Sequence, residues 1–100
     1  MVGAMQIAPN KTILKGVVDH VEAAPDGWGA HVRFTVRSSE AADGYRDFTG
    51  AEPGQTLQVF AAQPELVRPG GDYELTATVL GGPDGERIVL EDARPLRPAS

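Results

Sequence analysis

His31-Val32-Arg33-Phe34-Thr35-Val36-Arg37 alternates without a break. Val32, Phe34 and Val36 make one face. His31, Arg33, Thr35 and Arg37 make the other, with the two-residue period of a half-buried β-strand. The polar face gathers two of nine Lys/Arg residues and a histidine, in a 100-residue chain of net charge −5. Cationic side chains along a strand, with exposed rings nearby, suit single-stranded nucleic acid: the cations track phosphates and the bases stack.

Arg33 and Arg37 supply the cations. Thr56, Gln58 and Phe60 share the outer face of a later strand, where Phe60 supplies a ring. Tyr45, Arg46 and Phe48 extend the set from a preceding loop, and Trp28 stands at a hairpin tip. The competing reading is an ordinary surface. Strand arginines pair with neighbouring carboxylates, Phe60 is covered by residues 63–68, and Trp28 caps the open end of a barrel.

Other chemistry is thinner. Centring the first hairpin on Asp26-Gly27 places Glu22 opposite His31 and His20 opposite Arg33. His20, Glu22 and His31 then share a face that is a conceivable metal set, and a slip of one residue abolishes it. The spacing is not that of a zinc site, so no metal or other cofactor is expected. Ser38, Ser39 and Ser100 lie in no nucleophile elbow. Residues 81–85 lack the lysine and following helix of a phosphate loop. Glu91 and Asp92 are adjacent on a strand, point to opposite faces and form no dyad. With no acid, base and nucleophile converging, the expectation is a binding protein and not an enzyme.

Bulk properties bound the rest. One hundred residues make one domain, and the chain contains no cysteine, which excludes disulfides and thiolate sites. No apolar run reaches the ~18 residues of a membrane span. Residues 1–10 lack the basic start and long apolar stretch of a secretory signal, so the protein is expected to be cytoplasmic and off the membrane. Fourteen carboxylates against nine basic groups oppose strong non-specific binding to polyphosphate. Screening within about 8–10 Å leaves room for a local cationic groove.

The elements that must position these residues follow from alternation and turn chemistry. Residues 1–10 read as a flexible leader, 11–92 as the domain and 93–100 as a proline-rich tail. A long strand over residues 11–24 is interrupted by Gly16, the mark of a bulge or bend. Pro25-Asp26-Gly27-Trp28-Gly29 is a hairpin signal. Strands are expected over residues 30–38, 56–61, 72–80 and 87–91, with 45–49 a short strand or ordered loop. Leu57, Val59 and Ala61 face inward, as do Tyr73, Leu75, Ala77 and Val79. Residues 63–68 have room for one helical turn between Pro64 and Pro69. Pro83-Asp84-Gly85 centres a last hairpin.

Five strands without a long helix define an all-β fold, either a small Greek-key barrel or a β-sandwich. The layout of 11–92 resembles the OB-fold, whose first strand bends at a glycine and serves both halves of a five-stranded barrel. It departs in reducing the usual helix between third and fourth strands to residues 64–70. A weaker resemblance is to fibronectin type III-like sandwiches, carried by the turn and tyrosine of residues 66–73, although that family's core tryptophan is missing from the second strand.

The OB resemblance implies an oligonucleotide- or oligosaccharide-binding face on the second and third strands, flanked by the first and fourth connecting loops. That face is His31, Arg33, Thr35 and Arg37 beside Thr56, Gln58 and Phe60. The expected function is therefore a non-catalytic module contacting single-stranded DNA or RNA. The alternative is a protein–protein interaction or assembly module without nucleic-acid binding, using a strand edge or groove.

Overall fold

Gly16 lies where two strands come closer than any side chain allows. A Cβ placed there would sit 2.0 Å from the Thr35 carbonyl oxygen. The computed structural model, which describes residues 5–6, 10–25, 27–47, 49–82 and 85–96, puts Gly16 in the first long strand. After the short β1 (Met5–Gln6) come β2 (Thr12–Ala23), β3 (Ala30–Ala41), β4 (Thr56–Ala61), β5 (Asp72–Gly82) and β6 (Gly85–Pro95). A single 3-10 turn, Pro64–Leu66, separates β4 from β5, with a proline in its first turn as the missing N–H permits. Among the described residues no helix is long and apolar enough to cross a membrane.

The sheet closes on itself. β2 pairs with β3, β3 with β4, β4 with β6, β6 with β5, and β5 returns to β2. Every junction of this ring is antiparallel except β4–β6, which is parallel. The result is a small barrel-like ring and not two facing sheets. β2 bonds along its first half to β5 and along its whole length to β3, with register shifts at Lys15/Gly16 and Val18/His20. Those bulges bend the strand, and only glycine tolerates the approach at the first.

Alternation fills the ring. Leu14, Val18, Val32, Phe34, Val36, Val59, Leu75 and Ala77 are buried in one cluster. Burial of a side chain such as Phe34 contributes about 1.5–3 kcal/mol. Leu66 and Val67, from the 3-10 turn and its exit, pack on the same cluster. The Tyr73 hydroxyl accepts the Arg68 backbone N–H at 2.9 Å, tying that crossing to the start of β5.

Three segments differ from the sequence expectation. β3 runs on to Ala41, because β2 from Thr12 to Lys15 continues to pair with it. β6 extends to Pro95, since Tyr73 to Thr76 supply partners for Asp92 to Pro95. The expected tail therefore begins inside a strand, and Leu96 still donates its N–H to the Asp72 carbonyl at 2.8 Å. The expected leader is fastened as well. Met5 and Gln6 pair with Gly81 and Leu80. The buried Asn10 side chain accepts the Val79 N–H at 2.8 Å and donates to its carbonyl at 3.0 Å, as an added strand residue would. Of the alternatives for residues 45–49, the described ones follow the loop: Tyr45, Asp47 and Thr49 lie in no strand and Arg46 makes one isolated bridge to Asn10, while Phe48 lies outside the described residues.

Candidate functional site

The turn at residues 24–29 sets one wall of the site. Gly27 donates to the Ala24 carbonyl at 2.9 Å, and Ala24 donates to that of Gly29 at 3.1 Å. Gly29 has positive φ, and a Cβ there would meet the Ala61 carbonyl at 2.5 Å and the Phe60 ring at 2.8 Å. The hairpin thus lies directly against Phe60. Trp28, at its tip, is 72% exposed.

Phe60 is half-buried on the outer face and faces His31 across the β3–β4 ladder. Their ring centroids are 5.9 Å apart at 64°, an edge-to-face contact. The Gln58 amide lies 3.2 Å from His31 Nδ1. With Nε2 of Gln58 donating, the imidazole carries its proton on the other nitrogen. From β6, the Arg87 guanidinium stands over the Phe60 ring at 5.4 Å from its centroid. Such a cation–π contact is worth about 0.5–1 kcal/mol at an exposed site.

Two clefts flank this group and share His31, Phe60 and Arg87. One, of about 270 Å³, adds Ala24, Pro25 and Trp28. The other, of about 310 Å³, adds Gln58, Glu86 and Ile88. Both are near the small end of ligand pockets, roughly 300 Å³ and upward.

Arg33 continues the face, exposed and opposite Gln58 on one side and His20 on the other. No ion pair reaches Arg33 or Arg87 among the described residues. Beside them, Thr35 donates to the carboxylate of Asp19, which the second β2 bulge turns outward, and shares a 3.2 Å contact with Thr56.

The sequence set therefore divides. Trp28, His31, Arg33, Gln58 and Phe60 share one face. Arg37 lies further along β3, where its guanidinium is 3.7 Å from the Asp72 carboxylate. Tyr45 and Arg46 are beyond Ala41, on the order of 30 Å of strand from His31. There the Lys11 ammonium sits 4.9 Å from the Tyr45 ring centroid, and Arg46 accepts the Lys11 N–H at 3.1 Å. Trp28 projects from the hairpin and Phe60 faces outward, so two of the ordinary-surface expectations do not describe them. Arg37 does follow the ordinary one.

The hairpin register matches the expectation: His20 opposes Arg33 and Glu22 opposes His31. His20 and Glu22 are 4.0 Å apart, yet the His31 ring is engaged with Gln58 and Phe60. Among the described residues no group of three or more His, Cys, Asp or Glu is arranged to hold a metal ion.

Away from this face, Asp47 organises the loop after β3. Its Oδ1 accepts from the Thr12 hydroxyl at 2.8 Å, the Thr49 N–H at 2.8 Å and the Thr49 hydroxyl at 2.7 Å. Burial pushes the Asp47 carboxyl up, and the Thr49 and Thr12 hydrogen bonds outweigh it, leaving the pKa below the ordinary 3.8.

Arg87 and Glu86 escaped the sequence reading. Arg87 was legible only as the start of a strand. Its place beside Phe60 depends on the parallel β4–β6 pairing, in which Phe60 opposes Val89 and the two-residue period brings Arg87 to the same face. The chain matches no protein-family model, and no curated protein matches it significantly.

Proposed function

We propose that this chain is a non-catalytic, OB-fold-like binding module that takes single-stranded nucleic acid across the outer face of β3 and β4. The ring of five strands, the glycine-bent first member and the parallel closure support the OB-like layout. In that layout the binding face lies on the second and third strands, between the first and fourth connecting loops. Trp28 belongs to the first of these loops, and Arg87 follows the fourth.

The observation that carries the reading is the Phe60 ring, outward-facing between His31 and Arg87 and beside the exposed Trp28. Bases stack on such rings with about 1–3 kcal/mol each, and Arg33 and Arg87 are placed to meet phosphates. The net negative charge does not oppose this over more than a Debye length of about 8 Å.

The protein-partner reading has one structural basis. From Leu90 onward β6 pairs only with β5 among the described residues, leaving an edge where a strand could add. That edge carries Glu91, Asp92, Arg94 and Pro95, the residue types that discourage edge pairing. The stacking face is the better site.

Trp28 is the only tryptophan in the chain, so its fluorescence reports on one end of the face. Titration with oligothymidylate at about 50 mM salt should quench it saturably, and about 200 mM salt should weaken the binding. An emission that stays constant at low salt, with no binding by anisotropy of a labelled strand, contradicts the reading.

A further inference from the structure

The outer face of β3 and β4 is built in rows that change in chemistry along the strands. His31 opposes Phe60, Arg33 opposes Gln58, and Thr35 opposes Thr56. The first row is the aromatic group, with Arg87 and Trp28 beside it. The second adds the exposed Arg33. The third row carries neither a cation nor a ring. Its two hydroxyls lie 3.2 Å apart, and the Thr35 hydroxyl donates to the carboxylate of Asp19.

Asp19 owes that position to the second bulge of β2. Val18 pairs with Phe34 and His20 with Arg33, so Asp19 falls between two consecutive pairs and is exposed. Resting on the single-strand reading above, we propose that Asp19 is the end stop of the binding face. It turns the phosphate backbone away at Thr35 and limits the module to about four nucleotides, the short end of the range for such modules.

A carboxylate beside a phosphate is a like-charge pair. Asp19 also occupies the Thr35 hydroxyl, a donor that a phosphate oxygen would otherwise use. The next outward cation along β3, Arg37, lies 3.7 Å from the Asp72 carboxylate, so a strand that passed Asp19 would meet a second one. Strand length sets the scale. From His31 to Thr35 is about 13 Å of β3, room for a few nucleotides and no more. Two stacking places, at Trp28 and Phe60, and two phosphate places, at Arg87 and Arg33, fill it.

The test titrates the full chain with labelled oligothymidylates of about 4, 6, 8 and 12 nucleotides, which cover most of the span of one such module. The slope of log affinity on log salt, about 0.7 per phosphate contact, should stop growing beyond the 4-mer. Affinity should then rise only with the number of registers, about 5-fold from the 4-mer to the 8-mer. Asp19→Asn keeps the shape of the side chain and removes its charge. It should leave the 4-mer nearly unchanged and raise the 8-mer about a further 5-fold, the Coulomb repulsion of one like-charge contact in water. Asp43→Asn, in the exposed turn after β3, removes the same charge elsewhere and should not change the ratio of 8-mer to 4-mer affinity. A salt slope that keeps growing with length in the unaltered chain overturns the end stop and leaves the single-strand reading standing. So does an Asp19→Asn variant that gains nothing on the 8-mer, or gains equally on both strands. Binding of no strand at about 50 mM salt overturns both.

Discussion

The Arg87 guanidinium stands 5.4 Å from the centroid of the Phe60 ring, one two-residue step along β6 from Val89, which opposes Phe60 in the parallel pairing. The contact joins the third and fifth strands of the ring on their outer face. It places a permanent cation over the outward Phe60 ring, close to where a base stacked on this face would bring its phosphate. Arg87→Ala should therefore weaken single-strand binding and flatten the dependence of log affinity on log salt by about 0.7, one phosphate contact on a single strand. Affinities across a salt series give this slope, and an unchanged slope removes Arg87 from the phosphate path.

The two arginines of β3 should behave differently. Arg33 is exposed with no ion pair among the described residues, whereas Arg37 is 3.7 Å from the Asp72 carboxylate. Arg33→Ala is expected to cost affinity as Arg87→Ala does, and Arg37→Ala to cost little. Equal losses in parallel titrations would show that the path runs the length of β3.

Removing either ring should cost binding without loss of the fold. Trp28→Ala and Phe60→Ala are each expected to weaken binding by roughly 5- to 150-fold, the equivalent of about 1–3 kcal/mol per stacked base. Circular dichroism on the same samples separates this from unfolding. Trp28, at 72% exposure, should leave the melting temperature nearly unchanged.

Gly16→Ala should destabilise the protein by about 1–3 kcal/mol or more, because its Cβ would lie 2.0 Å from a backbone oxygen that cannot rotate away. Gly27 makes the control. It has positive φ but nothing within 4 Å of an added Cβ, so Gly27→Ala is expected to cost only the left-handed backbone penalty of about 1–2 kcal/mol. Urea midpoints that rank the two variants in the opposite order contradict the close-approach account.

Asp47 should give the protein part of its acid sensitivity. Burial raises its carboxyl pKa, but the Thr49 and Thr12 hydrogen bonds together lower it by more, so the folded value lies below 3.8. A depressed pKa means stability that is present above the unfolded value and is lost as pH falls through the folded one. Urea midpoints measured from about pH 5 downward should fall less steeply for Asp47→Asn than for the unaltered chain. Parallel curves would show that the loop clamp contributes nothing through ionisation.

Local pattern carried much of this structure. Val32, Phe34 and Val36 alternate because one face of β3 is buried, and the hairpin over Pro25 to Gly29 brings His20 opposite Arg33. Gly16 signalled its bulge because no other residue fits there. Long-range pairing was not legible. Glu91 to Pro95 lack a continuous apolar alternation, and they extend β6 because β5 supplies their hydrogen-bond partners. Tyr45 and Arg46 follow β3 closely in sequence, yet β3 itself carries them to the far end of the ring. Arg87 reached the site through the β4–β6 pairing, which no periodicity within either strand encodes.

The most direct test of the binding face is a backbone-amide NMR titration of the labelled protein with oligothymidylate at about 50 mM and about 200 mM salt. Shifts should concentrate on residues 28–33, 58–60 and 85–89, weaken at the higher salt, and spare Tyr45 and Arg46. Shifts centred on residues 91–95 or 45–46, or none at low salt, would contradict the claim that Phe60 is the centre of a single-strand-binding face.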